Sequence, residues 1–356
     1  MTVGDGSHAP LRLGLIGCGR VVEKYHLPAL KCSQAWTPMA ACDPSHERRR
    51  WVRGTMQNLS AFERPGDMFE AVPLDAVLVA TPPATHFALS MQALEKGLHV
   101  LVEKPMSLNV GEARRMLEAA TRARKVLQVG FNRRFHPTYT QFHARLRRPD
   151  MQHIRTINSR FIFDAGAWGA HMGDEAAGGG VLDDVVCHQA DLLCWLTGRR
   201  AAKVRAQNVT VGSKGARLVE YELDLGGGLT ARGIAGHGTD YHEEISIGAG
   251  DRTVTARPGA PLSEGAAPGI TRLWSAIGAA TGQLARKARG KPSMTVESFA
   301  GQLEAFASGV RAGAPHERSA DAWSGLYSVQ VVEAARESLR CGGGWRQIAS
   351  TMETDP

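Results

Sequence analysis

Residues 11–22 read LRLGLIGCGRVV, six residues of strand-like apolar character that run directly into two closely spaced glycines and then a helix-compatible segment. That order is strand, tight turn, helix. In such a unit Gly17 permits the turn, and Gly19 lets the backbone approach a pyrophosphate. The free N–H groups and the dipole of the following helix N-terminus then stabilise the anion. The candidate cradle is therefore Gly17, Cys18, Gly19, Arg20 and Val21. Val22 occupies the third fingerprint position, where Gly or Ala would pack closest to the strand, so the pattern is incomplete there.

Working outward, residues 40–42 end a second strand and Asp43 follows. A carboxylate at that point accepts both ribose hydroxyls and repels a 2′-phosphate, which favours NAD. Arg48, Arg49 and Arg50 read either as a solvated helix face or as holders of that phosphate, which keeps NADP as the alternative. Residues 75–80 form a buried-strand run that ends in Thr81-Pro82-Pro83-Ala84-Thr85-His86. A helix over 85–96 closes near Gly97 and hands the chain to LHVLVEKPMS, residues 98–107. Pro105 cannot donate a ladder hydrogen bond, so this strand stops and leaves Lys104 at a carboxyl end of the sheet, where ligands of open α/β sheets bind. A helix over 110–123 and a strand over 126–131 complete the alternation of a doubly wound parallel sheet.

Beyond Asn132-Arg133-Arg134-Phe135-His136-Pro137 the grammar changes. A helix through Leu146 precedes strand-like stretches at 153–163, 201–211, 216–225, 228–235 and 242–248, separated by glycine turns. The second half thus reads as a mostly antiparallel sheet. Between its first strands lies GGGVLDDVVCHQADLLCWL, residues 178–196. If this is helical from Leu182, then Asp184, His188 and Asp191 fall at i, i+4 and i+7 and share one face. A carboxylate beside an imidazole orients the ring and stabilises its charged form, an arrangement suited to proton chemistry. The same polar stripe would equally suit a domain interface. Residues 259–289, rich in Gly, Ala and Pro, fit a lid, an oligomer contact or a surface insertion, and helices are expected over 299–310 and 323–339.

At 356 residues the chain exceeds what one core usually serves, so two domains are expected. Hydrophobic residues at 43% and charged residues at 22% fit an ordinary globular protein, and no run approaches the roughly 18 apolar residues of a membrane helix. The start MTVGDGSHAP lacks the layout of a secretory signal, and the six cysteines show no metal or CxxC spacing. A cytoplasmic chain with reduced thiols and no metal is the expectation. The net charge of +7 comes from scattered arginines with no nucleic-acid-binding motif, so a small anionic ligand accounts for it as well as a nucleic acid would.

Taken in order, GLIGCGR, ATPPATH, EKP, VGFNRRFHP and the GGGxLxDxxxHxxD pattern resemble the glucose-fructose oxidoreductase, inositol dehydrogenase and MocA family. The resemblance spans residue 11 to about 342. It implies a Rossmann domain over 11–132 and an α/β domain over 133–345, with 1–10 and 346–356 as flexible tails. The open sheet of the second domain would serve a homodimer or homotetramer. The implied activity is hydride transfer between NAD(P) and a sugar, sugar derivative or cyclic polyol, with neither nucleic acid nor membrane as partner. By motif, Lys104 matches the family's active-site lysine, Asp184 and His188 its acid and base positions, and Asn132 and Arg133 residues near the substrate. Gly17, Gly19, Asp43, Thr81, Pro82, His86 and Glu103 match the dinucleotide shell, and His237 and Trp168 are candidate pocket walls. The expected chemistry has His188 as base, Asp184 orienting its imidazole, and Lys104 holding the substrate oxygen. Val186 stands where the family usually has glycine, which would narrow the pocket or tilt His188. An NAD-dependent glycosidase with a tightly held cofactor and a non-catalytic dinucleotide-sensing regulator are the alternatives.

Overall fold

The computed structural model describes residues 9–56, 58–164, 180–211, 216–238, 241–266 and 293–349. The first sheet is built from β1 (Leu11–Ile16), β2 (Trp36–Cys42), β3 (Ser60–Phe62), β4 (Ala76–Val79), β5 (His99–Val102) and β6 (Leu127–Val129). These strands are mutually parallel in the order β6-β5-β4-β1-β2-β3. Between them run α1 (Leu27–Cys32), α2 (His46–Thr55), α3 (Pro65–Ala71), α4 (His86–Glu95) and α5 (Val110–Ala123). A parallel sheet covered on both faces needs strands that are apolar throughout. Alternation then divides the side chains: Val77, Val79, Val100 and Val102 enter one core cluster, and Ala76, Leu78 and Leu101 enter another. The strand order reverses between β1 and β4. The crevice beyond their carboxyl ends is the binding position of this topology.

After α6 (Pro137–Leu146) the chain builds a second sheet from β7 (Ile154–Asp164), β8 (Lys203–Val211), β9 (Ala216–Asp224), β10 (Thr230–Gly238), β11 (His242–Ala249), β12 (Arg252–Ala256) and β13 (Ser263–Ala266). A π-helical turn, Leu182–Val186, leads into α7 (Cys187–Thr197). Two long helices close the fold, α8 (Met294–Ala312) and α9 (Ala322–Arg340), flanking the short strand β14 (Ala320–Asp321), with β15 (Arg346–Gln347) at the end. Residues 346–348, expected in a flexible tail, are instead held by pairing with β8 and by burial of Ile348. The second sheet runs β13-β12-β11-β7-β10-β9-β8-β15, and among the described strands β10 and β7 are its parallel pair. The other neighbours are antiparallel, as expected. α7 and α9 cover one face of it, where Leu192, Val204, Tyr221, Leu223 and Val331 share a core. The stretch 259–289 includes edge strand β13, and its remainder from 267 lies outside the described residues. No helix among the described residues is long and apolar enough to cross a membrane.

The chain does not keep to the second sheet after residue 133. β14 pairs antiparallel with β6, and α8 lays Phe299, Leu303 and Phe306 into the cluster that holds Leu27 and Trp36. The Trp36 indole N–H donates to the Leu303 carbonyl at 2.8 Å and its ring stacks on Phe306. The physical reason is exposure: without α8 that face of the first sheet would leave large apolar side chains in water.

A buried ion pair joins the two halves. Arg134, in the turn Asn132–Phe135 that follows β6, donates to both oxygens of Asp191 on α7, at 3.0 and 2.5 Å, and to the Ser319 carbonyl at 2.9 Å. Asp191, expected on a reactive stripe with His188, is therefore held as a structural partner. Arg134→Met should cost about 3–5 kcal/mol by leaving the Asp191 carboxylate buried and unpaired. Urea unfolding checks this, and Arg134→Met with Asp191→Leu should regain most of the loss.

Candidate active site

The glycine turn expected to hold the cofactor forms where β1 ends. Gly17 has φ +92°, and a Cβ there would stand 2.6 Å from the Ala80 carbonyl oxygen at the end of β4. A Cβ on Gly19 would meet no protein atom within 4 Å. One glycine is thus demanded by the protein's own packing, while the other faces open space at the start of a helix. This is the shape a pyrophosphate fits. Asp43 accepts the Cys18 N–H and the Ser45 N–H, each at 2.8 Å, which ties the carboxylate to the glycine turn. Burial, with the Asp43 carboxylate next, pushes the Cys18 thiol up to about 12, so it is a neutral packing group. Arg48 is more than a solvated side chain: its Nε donates to the Cys18 carbonyl at 2.6 Å and its Nη2 to Glu23 at 3.0 Å. Arg49 likewise donates to the Asp43 and Pro44 carbonyls. Val22, at the third fingerprint position, is buried within a π-helical turn, Val22–His26.

That turn aims His26 at Glu103. His26 Nε2 lies 2.7 Å from Glu103 Oε1, both groups buried, so Glu103 links α1 to the end of β5. Burial works against the Glu103 carboxylate, but the hydrogen bond from His26 and the charge of Lys104 outweigh it and hold the carboxyl below its usual range. His86 spans the two loops above the sheet, with Nδ1 2.8 Å from the Pro105 carbonyl and Nε2 2.8 Å from the Thr81 carbonyl. Burial pushes its pKa down. Thr81 also accepts the Thr85 hydroxyl, which fixes the loop that contains Pro82.

Lys104 extends from β5 to the helical segment of the second half. Its Nζ donates to Asp184 Oδ1 at 2.5 Å and to the Asp184 carbonyl at 3.2 Å. The second carboxylate oxygen of Asp184 lies 3.0 Å from Nε2 of His237 on β10. Burial opposes the Lys104 ammonium, but Asp184 and Cys187 more than offset it and raise the lysine above its usual value. Burial likewise opposes the Asp184 carboxylate, and Lys104 with His237 holds it well below the usual carboxylate range. His188 stands nearby, its ring edge-on to Phe131 at 5.8 Å, with a buried Nδ1 that has no partner among the described residues. Burial, then Arg133 and Lys104, push its pKa well below the ordinary imidazole value.

Several expectations change here. Asp184 makes no hydrogen bond to His188, because its two carboxylate oxygens are taken by Lys104 and His237. Val186 is fully buried in the core, so its bulk is absorbed there rather than in the pocket. Arg133 is paired with Glu243 at 2.8 and 2.9 Å and lies over Phe161 and Phe163. Asn132 donates to the Ser298 hydroxyl at 2.9 Å and is buried against α8. Trp168 lies outside the described residues. His26 and Glu243 went unnoticed in the sequence. Glu243 also accepts the hydroxyls of Tyr139 and Tyr241. Its signal was present: in β11 it shares parity with Ile245 and Ile247, and an acid on a buried face requires a cation.

A glycine turn on a parallel sheet, with a lysine, a carboxylate and two histidines grouped beyond the strand ends, is the arrangement expected of a dinucleotide-dependent oxidoreductase. A family model described as an oxidoreductase family with an NAD-binding Rossmann fold matches residues 11–131, and the GFO/IDH/MocA C-terminal domain matches 139–245. The chain belongs to the GFO/IDH/MocA oxidoreductase family. The rhizopine catabolism protein MocA of Rhizobium meliloti is 28% identical over 333 residues, 92% of this chain and 95% of that protein. D-glucoside 3-dehydrogenase of Escherichia coli is 30% identical over 197 residues, so the match spans only 56% of that enzyme and 55% of this chain. Among solved structures, a dehydrogenase from Chromobacterium violaceum has a TM-score of 0.78 at 23% identity, covering 94% of this chain and 97% of its own. Scyllo-inositol dehydrogenase from Lactobacillus casei, solved with NAD(H) and scyllo-inositol, has a TM-score of 0.74 at 20% identity, covering 96% and 100%. These structural likenesses establish the fold.

The two glycines separate packing from ligand binding. Gly17→Ala should lower folding stability by more than about 1 kcal/mol, because both its φ and its neighbours exclude a side chain. Gly19→Ala should leave the thermal midpoint near wild type and still weaken NAD binding, measured by calorimetric titration, because its methyl enters the space a pyrophosphate would use.

Proposed function

We propose that the chain is an NAD-dependent dehydrogenase or ketoreductase acting on a hydroxyl or keto carbon of a sugar, sugar derivative or cyclic polyol. The observation that carries this is the Lys104–Asp184 pair, close enough to the buried His188 for the ammonium to bear on its ring, beside the dinucleotide crevice. When bound, the nicotinamide accepts or returns hydride at the reacting carbon. His188, kept neutral by burial and by the cations around it, takes the hydroxyl proton. Lys104 donates to the substrate oxygen and stabilises the negative charge that develops as the proton leaves. Its pKa is raised rather than lowered, so it works as a charge and not as the base. Asp184 keeps that ammonium charged and in place. The Arg133–Glu243 pair, bracketed by Tyr139, Tyr241 and the rings of Phe161 and Phe163, forms the opposite wall. In this reading 11–132 binds the dinucleotide and 133–345 supplies the substrate side, with α8 and β14 returned to the first sheet. The open sheet would assemble a cytoplasmic homodimer or homotetramer.

The names of the relatives, a glucoside 3-dehydrogenase and inositol 2-dehydrogenases among them, support the substrate class. The paired lysine, and an imidazole whose Nδ1 has no partner among the described residues, argue for catalysis over dinucleotide sensing, since a sensor needs neither.

Nicotinamide absorbance with NAD and NADP against inositols, hexoses, amino sugars and nucleotide sugars tests the assignment. A stoichiometric change with NAD and a neutral polyol or sugar is expected. Glycoside hydrolysis without net NADH would point instead to the glycosidase. His188→Ala and Lys104→Met should each lower kcat/KM by about 10²–10⁴ with NAD binding retained. Near-normal turnover by either would refute its role. Because the His188 pKa is depressed, the acid limb of kcat/KM for oxidation should lie below the ordinary imidazole value of about 6.5.

A further inference from the structure

His237 lies on β10 opposite Phe163 of β7, and has no part in the reaction as described so far. Its Nε2 is 3.0 Å from one oxygen of Asp184, and the other oxygen receives the Lys104 ammonium at 2.5 Å. Three separate elements thus contribute an unbroken line of imidazole, carboxylate and ammonium. We propose that His237 is a positioning residue of the dehydrogenase, anchoring Asp184 and thereby fixing where Lys104 stands against the substrate oxygen. This rests on the reaction proposed above and adds the group that holds its electrostatic arm in register.

The chemistry of the groups supports the assignment. An ionised carboxylate only accepts, so the proton on His237 sits at Nε2 and points to Asp184. A lysine ammonium is a point charge on a flexible four-carbon stem, so its position is set by its acceptors. Those acceptors both belong to Asp184, its carboxylate and its carbonyl. If His237 is removed, the second oxygen is left buried without its donor, and the carboxylate gains freedom to rotate. Lys104 then loses its fixed acceptor. Among the described residues the other polar groups around the line do not replace that donor: Glu103 is an ionised carboxylate that only accepts, Cys187 donates to the Asp183 carbonyl, and Arg133 is committed to Glu243. His188 follows on the same helix and has no hydrogen bond to Asp184 among the described residues. The sheet itself does not need the imidazole, because His237 pairs with β7 and β9 through its backbone.

The test compares the full chain with His237→Ala and His237→Gln, all loaded with NAD. His237→Ala should lower kcat on the order of 10²-fold, the loss that follows when a reacting group moves by about 1 Å, with little change in KM or in NAD affinity. His237→Gln, whose amide N–H reaches toward the same oxygen, should recover most of the rate. A substrate-free reading accompanies this: acetylation of Lys104 by acetic anhydride, followed by peptide mass spectrometry, should quicken several-fold in His237→Ala and return toward wild type in His237→Gln. A merely structural role would instead lower the melting midpoint and NAD affinity together, without rescue by glutamine, and that result overturns the proposal. So do wild-type kcat and wild-type Lys104 labelling in His237→Ala. If the wild type turns over no sugar at all, the reaction assignment fails, and the labelling alone decides whether His237 positions Lys104.

Discussion

The contact between Lys104 and Asp184 is the constraint on which the site depends. It crosses from the carboxyl end of β5 to the π-turn ahead of α7, so it registers the dinucleotide crevice against the second sheet. Withdrawing two charges from water is expensive, and a buried pair offsets that cost only when its remaining hydrogen-bonding capacity is also met. Here the Asp184 carbonyl adds a second acceptor for the ammonium and His237 adds a donor to the carboxylate. Such a pair is a poor way to stabilise a fold that already has large apolar cores. It is a good way to hold one charge at one place beside a ligand.

The electrostatic plan around it is consistent. Glu103 is matched by His26, Arg133 by Glu243 and Arg134 by Asp191, each at hydrogen-bonding distance and largely out of water. His188 differs from all of them. It is buried beside two cations, with its Nδ1 unpartnered among the described residues, an environment that disfavours imidazolium. In the proposed reaction, a neutral imidazole and a charged ammonium would divide the labour that a single group of intermediate pKa would otherwise perform.

The first sheet was legible because its signals are local. Apolar runs of strand length, a glycine turn at residue 17 and prolines after β4 and β5 each follow from backbone or burial rules within a few residues. Lys104 was legible for the same reason, as a charge stranded at a strand end. What escaped was decided by geometry beyond such a window. The i, i+4 rule says which residues share a helix face and not what that face meets, so it could not show that Lys104 and His237 take the Asp184 carboxylate or that Arg134 takes Asp191. The return of α8 and β14 to the first sheet is a long-range docking that no local pattern encodes, although Phe299, Leu303 and Phe306 already marked the helix as one with a face to bury. Glu243 and His237 sit on strands, where parity says which face a side chain takes but not what it meets across the domain.

The cofactor side carries the same logic of groups already committed to partners. An ionised carboxylate offers about four lone-pair sites. Among the described residues Asp43 uses two, for the Cys18 and Ser45 N–H groups, which leaves lone pairs that ribose hydroxyls would occupy in the proposed cofactor site. A 2′-phosphate would bring about −1.5 to −2 charge against that fixed anion. A guanidinium turned inward would tolerate it, but Arg48 is engaged with the Cys18 carbonyl and Glu23 while its plane rests on Trp51, and Arg49 is engaged with the Asp43 and Pro44 carbonyls. Recruiting Arg48 to a phosphate would therefore loosen the carbonyl contact that steadies the glycine turn itself. Binding of the 2′-phosphate and integrity of the pyrophosphate cradle are set against each other, and that opposition favours NAD more firmly than the Asp43 charge alone.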